Sequence, residues 1–434
     1  MHENKTQRLV GVDTSRGVAL VGMIITHIMP LVVEGTLTFA AFFAGRASAL
    51  FAVLAGISLV LSTRGIVRTP GIRSWLLASL TIYIRAVCIG VLGLFLGSLD
   101  HTLAIILVYY AGMFLVAPAF LRLPAAVLAS LALGWMVLAP ILSHVIRHSF
   151  SLERYFLDGS FGDLASPTLF LQELIVTGYY PVLPWMSYIL VGMCLAKLPW
   201  RRATRRTAIL VAGAGITFAC ISRLISMFLL DAGGRSALYE SLQLFPLTDS
   251  LVTPDMAQHY VYGGLPFALN ISSYGVTPSH SWWWLVIAGP HSATPFDLLH
   301  TAGIACTVIA LCMLFCRVHL GQSLALIFAL PGAMPLSVYT GHVVLLATTQ
   351  SFLTSAPVAL TIHLAAVFTG PWLWVLIRRG TKRHRQQVYG QGCDDQFQHP
   401  FPIQFLTVRG PLEEVINALL RRVHYIRYGL RSRL

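Results

Sequence analysis

The chain has 434 residues, of which 56% are hydrophobic and 11% charged, and its mean hydropathy is +0.72. Because soluble globular proteins carry about a quarter charged residues, this composition excludes a soluble domain and predicts an all-α, polytopic membrane helix bundle. The formal net charge of +13 requires no nucleic-acid partner, since Lys and Arg concentrate in the loops that stay on the cytoplasmic side of a membrane.

Apolar runs of about 20 residues, each long enough to cross roughly 30 Å of hydrocarbon, recur along the chain. We expect ten transmembrane helices. They are predicted at 17–33, 46–62, 74–97, 102–121, 124–146, 178–197, 207–230, 298–316, 333–350 and 357–377. The segment 321–331 is shorter, and Pro331 with Gly332 ends it, so we expect a half-helix before the ninth span.

The basic residues set the orientation of these spans. With both termini in the cytoplasm, only Arg147, Arg154 and Arg235 fall in the outer loops. Residues 1–377 then form the transmembrane domain, and residues 378–434 form a basic cytoplasmic tail. In this tail, an apolar stripe from Leu412 predicts an amphipathic helix that lies on the inner membrane surface or against the bundle.

The first span carries a charged residue and a histidine in DTSRGVALVGMIITH, where Arg16 stands eleven residues before His27. On a helix the two side chains share one face about 16 Å apart. Arg16 would mark the cytoplasmic boundary and His27 would lie near mid-bilayer, where an ionisable group indicates a functional site. In the alternative interpretation, Arg16 is an anchor paired with Asp13, and His27 is a packed histidine.

Other ionisable residues fall in later spans. Arg85 lies about eleven residues into the third span, where a charged side chain faces a cavity or a partner. Arg46 begins the second span, beside the loop that follows His27. His342 and His363 are alternative proton carriers, with packing as the favoured interpretation.

Aromatic and polar residues mark the outer side. Tyr179, Tyr180 and Trp185 in GYYPVLPW can supply a rim on which a sugar ring stacks, although an aromatic belt at the interface is the favoured interpretation. His291, Asp297 and His300 cluster before the eighth span, and Asp297 also suits the N-terminus of that helix. The seven cysteines indicate neither a disulfide framework nor a metal site, and we expect no metal.

Several motifs in order along the chain resemble bacterial membrane proteins related to heparan-alpha-glucosaminide N-acetyltransferase. They are VDTSRGVALVGMIITH, GRASALFAVLAGISL, GYYPVLPWMSYILVGM, PHSATPFDLLHTAG, PLSVYTGHVVLL and RGPLEEV. The spacing from Arg16 to His27 is also similar to that of membrane acyltransferases that O-acetylate bacterial surface glycans.

The resemblance implies an enzyme of the bacterial plasma membrane that takes acetyl from cytoplasmic acetyl-CoA and delivers it to a sugar hydroxyl or amine outside. It assigns Asp13 and Arg16 to the inner mouth and His27 to the first helix. The chain departs from the family in one respect. The lysosomal enzyme carries Asn in place of His27 and has its working histidine in the following segment, whereas residues 31–45 here contain no histidine.

Acyl transfer from a thioester needs a base or a nucleophile, and imidazole serves as either, so we predict His27 as the catalytic residue. Acyl-CoA would be bound by Asp13, Arg16 and Arg85, because Arg forks onto phosphate. The acceptor would be bound by Arg46, Tyr180, His291 and Asp297. A transporter or lipid-handling protein that uses His27, Arg85 and His342 as a path is the alternative function, and a membrane scaffold is the third.

Overall fold

The structure is a computed structural model, and it describes residues 9–152, 154–200, 204–243, 269, 273–389, 406 and 408–431. Helices dominate this part of the chain. They are α1 (Val10–Ile28), α2 (Arg46–Val67), α3 (Ile72–Gly97), α4 (Ile106–Val116), α5 (Ala125–Ser149), α6 (Pro167–Gln172), α7 (Val182–Ala196), α8 (Thr204–Leu229), α9 (Arg235–Gln243), α10 (Pro295–Phe315), α11 (His319–Gly332), α12 (Pro335–Thr349), α13 (Ala356–Tyr389) and α14 (Pro411–Arg431). Most of the predicted outer loop between α9 and α10 lies outside the described residues.

Six helical stretches of the described chain are long and apolar enough to cross a membrane. They are Phe39–Val67, Ile72–Gly97, Ala125–Ser149, Arg205–Ser241, Pro295–Phe315 and Ala356–Arg379. Two bent pairs raise the number to eight, Pro167–Thr177 with Val182–Ala196 at 52° and Leu320–Gly332 with Pro335–Thr349 at 65°. Neither α1 nor the short α4 is among them, so ten spans are not confirmed. The sidedness of the termini stays a prediction.

The predicted limits of the first span, 17–33, are wrong at both ends. The helix begins at Val10 because its early polar residues are buried and bonded, not solvated at a membrane boundary. Thr14 Oγ1 donates to the carbonyl of Val10 at 2.9 Å, and Ser15 Oγ donates to the carbonyl of Gly11 at 2.8 Å. These bonds satisfy the hydroxyls within the helix, so it continues through them.

After Ile28 the chain forms a short ribbon, the one departure from an all-α structure among the described residues. Strand β1 (Val32–Val33) pairs antiparallel with β2 (Thr36–Leu37). Between them, Glu34 and Gly35 both have positive φ, at 49° and 77°. Two consecutive left-handed residues are what the tight hairpin turn with the twist of paired strands requires. The helix therefore ends before residue 33.

Helix α1 lies at the centre of the bundle and packs against α2, α10, α11, α12 and α13. Two glycines allow its close approach to α11. A Cβ on Gly17 would collide with the backbone of Phe328, and a Cβ on Gly332 would collide with the carbonyl of Asp13. The rest of the core comes from the pairs α8–α10, α2–α7, α5–α7 and α3–α4.

Helix α14 forms where the sequence predicted the amphipathic tail helix, and it packs against α12 and α3. Its Glu413 carboxylate accepts hydrogen bonds from the backbone of Leu336 at 2.8 Å and of Ser337 at 3.2 Å. These are orphan N–H groups of the first turn of α12, so Glu413 caps that helix. We call this end of the bundle the tail end.

The opposite end, which we call the loop end, collects the connections α1–α2, α3–α4 and α5–α6 and the segment before α10. The Gly45 N–H donates to His291 Nε2 at 3.2 Å, and the Phe161 N–H donates to Ser98 Oγ at 3.3 Å. Gln350, just after α12, donates to the Asp100 carbonyl at 2.6 Å. These bonds connect the loops to one another, so the loops are held together at this end of the bundle.

Candidate active site

The predicted catalytic residue, His27, lies in the last turn of α1 and not in the middle of a span. Its Nδ1 lies 3.0 Å from His342 Nε2, and the two rings stack at 5.3 Å between centroids. The other nitrogen of His342, Nδ1, lies 2.8 Å from Nδ1 of His363. We call these three residues the histidine chain. His342 and His363, predicted only as alternatives, are the direct neighbours of the predicted base.

The histidine chain does not have the convergent arrangement of a metal site. His342 uses a different ring nitrogen for each neighbour, so the three rings do not converge on one point. No group of three or more His, Cys, Asp or Glu side chains in the described residues is arranged to hold a metal ion. Among the described residues, the His27 ring makes one hydrogen bond, which joins its Nδ1 to His342. Its Nε2 is therefore available to another partner.

Towards the tail end lies a cavity of about 130 Å³ that contains two of the three predicted acyl-CoA residues. We call it the arginine cavity. Its polar lining is Arg16, Ser58, Arg85, Tyr110 and Tyr339. Arg16 donates to the buried Asp13 carboxylate at 2.6 Å and to Ser58 Oγ at 2.7 Å. Asp13 thus acts on the cavity through Arg16, whose guanidinium it holds in place.

Arg85 supplies the second guanidinium group of this cavity. Its Nε is buried and has no hydrogen-bond partner in the described structure, and the same is true of the Tyr110 hydroxyl. The positive charges nearest to it electrostatically are those of Arg409 and Arg16. A cation that faces like charges and keeps an unused N–H is a site for an anion.

Sequence reasoning missed Arg409, which the tail supplies. It precedes Gly410 and Pro411 in the motif RGPLEEV, whose Glu413 holds the segment on α12. An arginine directly before a specific motif was the available signal. Its approach to Arg85, however, depends on the packing of the tail against α3 and α12, which no local pattern encodes.

At the loop end, the predicted acceptor residues divide into two groups. Arg46 and Asp297 lie with His300: Arg46 Nη2 is 3.3 Å from His300 Nε2, and Asp297 is close enough to Arg46 to interact electrostatically. Asp297 is 4% exposed and accepts from the Ala293 N–H at 3.1 Å. Asp297 therefore lies at the N-terminus of α10, as predicted, and its carboxylate also holds the preceding loop through the Ala293 N–H.

The second group is aromatic and centres on His291, which packs against Tyr179, Tyr180 and Trp185 at 4.8, 5.7 and 6.4 Å between ring centroids. Tyr180 is 6% exposed, so it lies inside this cluster and not at an open rim. Two polar atoms of the cluster, His291 Nδ1 and Trp185 Nε1, are buried and have no described partner.

His291 connects the loop end to the histidine chain. Burial lowers the pKa of His291 to about 3, and the nearby charge of His27 contributes to this shift, as does that of Arg154. The imidazole is therefore neutral at physiological pH and offers a donor or an acceptor rather than a charge. His27 thus lies between the aromatic cluster on one side and, along its own helix, Arg16 on the other.

The sequence profile of the heparan-alpha-glucosaminide N-acetyltransferase catalytic domain matches residues 8–228, just over half of the chain. The protein belongs to this family. Its matched part contains Asp13, Arg16, His27, Arg46 and Arg85, together with Tyr180, whereas His291 and the later site residues lie beyond it. No curated protein matches the chain. Family membership and the apolar helices together indicate a membrane acetyltransferase.

Proposed function

We propose that this protein transfers an acetyl group from acetyl-CoA, bound at the tail end from the cytoplasm of a bacterium, to a hydroxyl or amine of a sugar or glycolipid at the loop end. His27 is the base or the transient acyl carrier. The observation that carries the proposal is the position of His27, which shares a helix with Arg16 and lies electrostatically close to His291.

The arginine cavity suits the phosphate groups of the donor. Guanidinium groups bind phosphate in charge-assisted, often bidentate hydrogen bonds, and Arg85 keeps an N–H available for one. Arg16 is oriented by Asp13 and Ser58, so it contributes a fixed positive charge. Eleven helical residues separate Arg16 from His27, about 16 Å, which is comparable to an extended pantetheine arm.

His27 has the geometry of a base. Its Nδ1 is engaged by His342, which orients the ring and leaves Nε2 to act on the substrate. As a base, Nε2 takes the acceptor's proton while the acceptor attacks the thioester carbonyl. As a nucleophile, the same nitrogen would carry the acetyl group between the two substrates.

The acceptor is assigned to the loop end because the aromatic cluster there holds neutral hydrogen-bonding nitrogens among aromatic rings. His291 Nδ1 and Trp185 Nε1 are unused, and Arg46 with Asp297 flanks them. Aromatic faces and hydrogen-bonding edges are typical of sites that bind sugars.

The test uses the purified protein in lipid vesicles with radiolabelled acetyl-CoA and glucosamine as the probe acceptor. We expect label on glucosamine, or label retained on the protein at His27 when no acceptor is present. Binding of acetyl-CoA without transfer or protein labelling would contradict the proposal.

A transporter is the second candidate, and one observation favours it. Helices α11 and α12 are bent by 65° at Met334, and broken helices form the substrate sites of many transporters. Uptake of glucosamine into the same vesicles without acetyl-CoA would support this candidate and exclude the enzyme.

A further inference from the structure

The far end of the histidine chain opens into a second cavity, which lies between α12 and α13 and measures about 390 Å³. We call it the histidine cavity. Both His342 and His363 line it, and His363 is 1% exposed with its Nε2 buried and without a hydrogen-bond partner in the described structure. A buried polar atom without a described partner, on a residue that lines a cavity, indicates that a group in the cavity exchanges hydrogen bonds with it.

The histidine cavity runs towards the tail end. Its lining continues along α12 from Leu345 to Ser337 and reaches Pro411, next to the segment that supplies Arg409. The eight helical residues from Leu345 to Ser337 cover about 12 Å, so the cavity extends past His342 to the capped start of α12. The remaining lining is mostly apolar, including Val338, Val367 and Trp374.

We propose that the histidine chain is a proton relay, which moves the acceptor's proton from His27 through His342 and His363 into the histidine cavity. The proposal rests on the acyltransfer function proposed above and adds the route of its proton. The contacts of 3.0 and 2.8 Å are hydrogen-bond distances, and each pair uses one nitrogen as donor and one as acceptor.

The step balances in atoms and charge. The acceptor oxygen or nitrogen bonds to the acyl carbon, the carbon–sulfur bond breaks, and CoA thiolate leaves with the electron pair. The acceptor's proton goes to His27 Nε2 as the Nδ1 proton passes to His342 Nε2. The Nδ1 proton of His342 then passes to His363, and the Nε2 proton of His363 passes to water in the cavity. Water at the tail end returns one proton to the thiolate.

The main test separates the relay from the packing of its members. In His363→Gln the side chain still hydrogen-bonds to His342 but does not pass a proton through a ring. We expect kcat for acetyl transfer to glucosamine to fall about 10- to 100-fold, with KM for acetyl-CoA unchanged. His148→Gln, at the exposed end of α5, is the matched control and keeps full activity.

Chemical rescue gives a readout that a purely structural role does not change. His363→Gly leaves space continuous with the histidine cavity, so added imidazole should restore transfer. Gly370 lines the same cavity, and a Cβ there meets nothing within 4 Å. His363→Gly combined with Gly370→Leu should therefore lose the rescue. Leu at Gly213 of α8, where a Cβ also meets nothing, is the control and should keep it.

The outcomes distinguish this proposal from the proposed function. Full kcat in His363→Gln, or no imidazole rescue in His363→Gly, would overturn the relay while leaving His27 as the catalytic base. Full activity in His27→Ala would overturn both. Loss in His27→Ala, loss in His363→Gln and rescue blocked by Gly370→Leu would together establish the relay.

Discussion

The two ends of the bundle differ in what they leave unsatisfied. At the tail end, Arg85 keeps an unused buried N–H and faces the charges of Arg16 and Arg409. At the loop end, the carboxylate of Asp297 is bonded to its own loop, and the rings of His291 and Trp185 each keep a buried nitrogen without a partner among the described residues. The tail end therefore presents a guanidinium N–H to a ligand, whereas the aromatic cluster of the loop end presents neutral ring nitrogens. This difference fits the proposed enzyme, which would join acyl-CoA to a sugar.

The largest effect is expected at His27, which lies between the aromatic cluster of the loop end and, along α1, Arg16 of the tail end. His27→Ala should lower kcat for acetyl transfer by about 10²- to 10⁴-fold, because alanine has no group that can take the acceptor's proton. His27→Asn keeps a hydrogen bond to His342 and should be equally inactive. An Asn variant with native kcat, measured with radiolabelled acetyl-CoA, would show that His27 only positions other groups.

The next effect separates affinity from stability at the tail end. Arg85→Met should raise KM for acetyl-CoA about 10- to 100-fold, since a charge-assisted hydrogen bond to phosphate is lost. The melting temperature should rise, because a cation whose buried Nε has no hydrogen-bond partner among the described residues is removed from beside two like charges. Arg64→Met, at the exposed end of α2, is the control for both measurements. A lower melting temperature with an unchanged KM would make Arg85 a structural residue.

The loop end should respond to pH through His291. The pKa of this residue is lowered to about 3 in the folded protein, whereas an unfolded histidine has a pKa of about 6.5. Between these values the unfolded chain binds one proton more, so the unfolding free energy falls with falling pH by about 1.4 kcal/mol per unit.

His291→Phe should remove this contribution, which is fully present above about pH 6.5 and lost as the pH falls towards 3. Melting temperatures of the native protein and the variant at about pH 7 and about pH 5 measure the difference. The exposed His148→Phe is the control. Equal acid sensitivity in native protein and His291→Phe would mean that His291 is solvated.

The smallest effect concerns the cap that holds the tail end together. Glu413→Ala leaves the first N–H groups of α12 without their acceptor and should cost about 1 kcal/mol of unfolding free energy. Glu414→Ala is the matched control, because its ion pair with Arg378 lies near the surface and contributes little. Equal melting temperatures for the two variants would remove the capping role.

Local sequence signals predicted those parts of the fold that local energetics determine. Pro331 and Gly332 predicted the interruption between α11 and α12, and the stripe after Leu412 predicted α14. The limits of α1 were not predictable in this way. Its polar first turns are helical because α11 covers them, and this contact depends on Gly17 meeting the distant Phe328.

The site was predictable in its residue types but not in its connections. A histidine and an arginine on one helical face were visible from their spacing, whereas the partner of His27 is 315 residues away. His342 and His363 looked like packing residues because each lies singly in an apolar helix. Only the meeting of α1, α12 and α13 turns three isolated rings into a hydrogen-bonded series.

The glycine contacts of α1 affect which parts can move during the proposed acetyl transfer. Gly17 and Gly332 bring the α1 and α11 backbones into contact, and Gly11 does the same against Met313 of α10. A helix that is held by close main-chain contacts on two sides cannot slide or rotate unless its neighbouring helices move apart. Helix α1 is thus a fixed element, and in the proposed reaction the moving part would be the flexible arm of the donor.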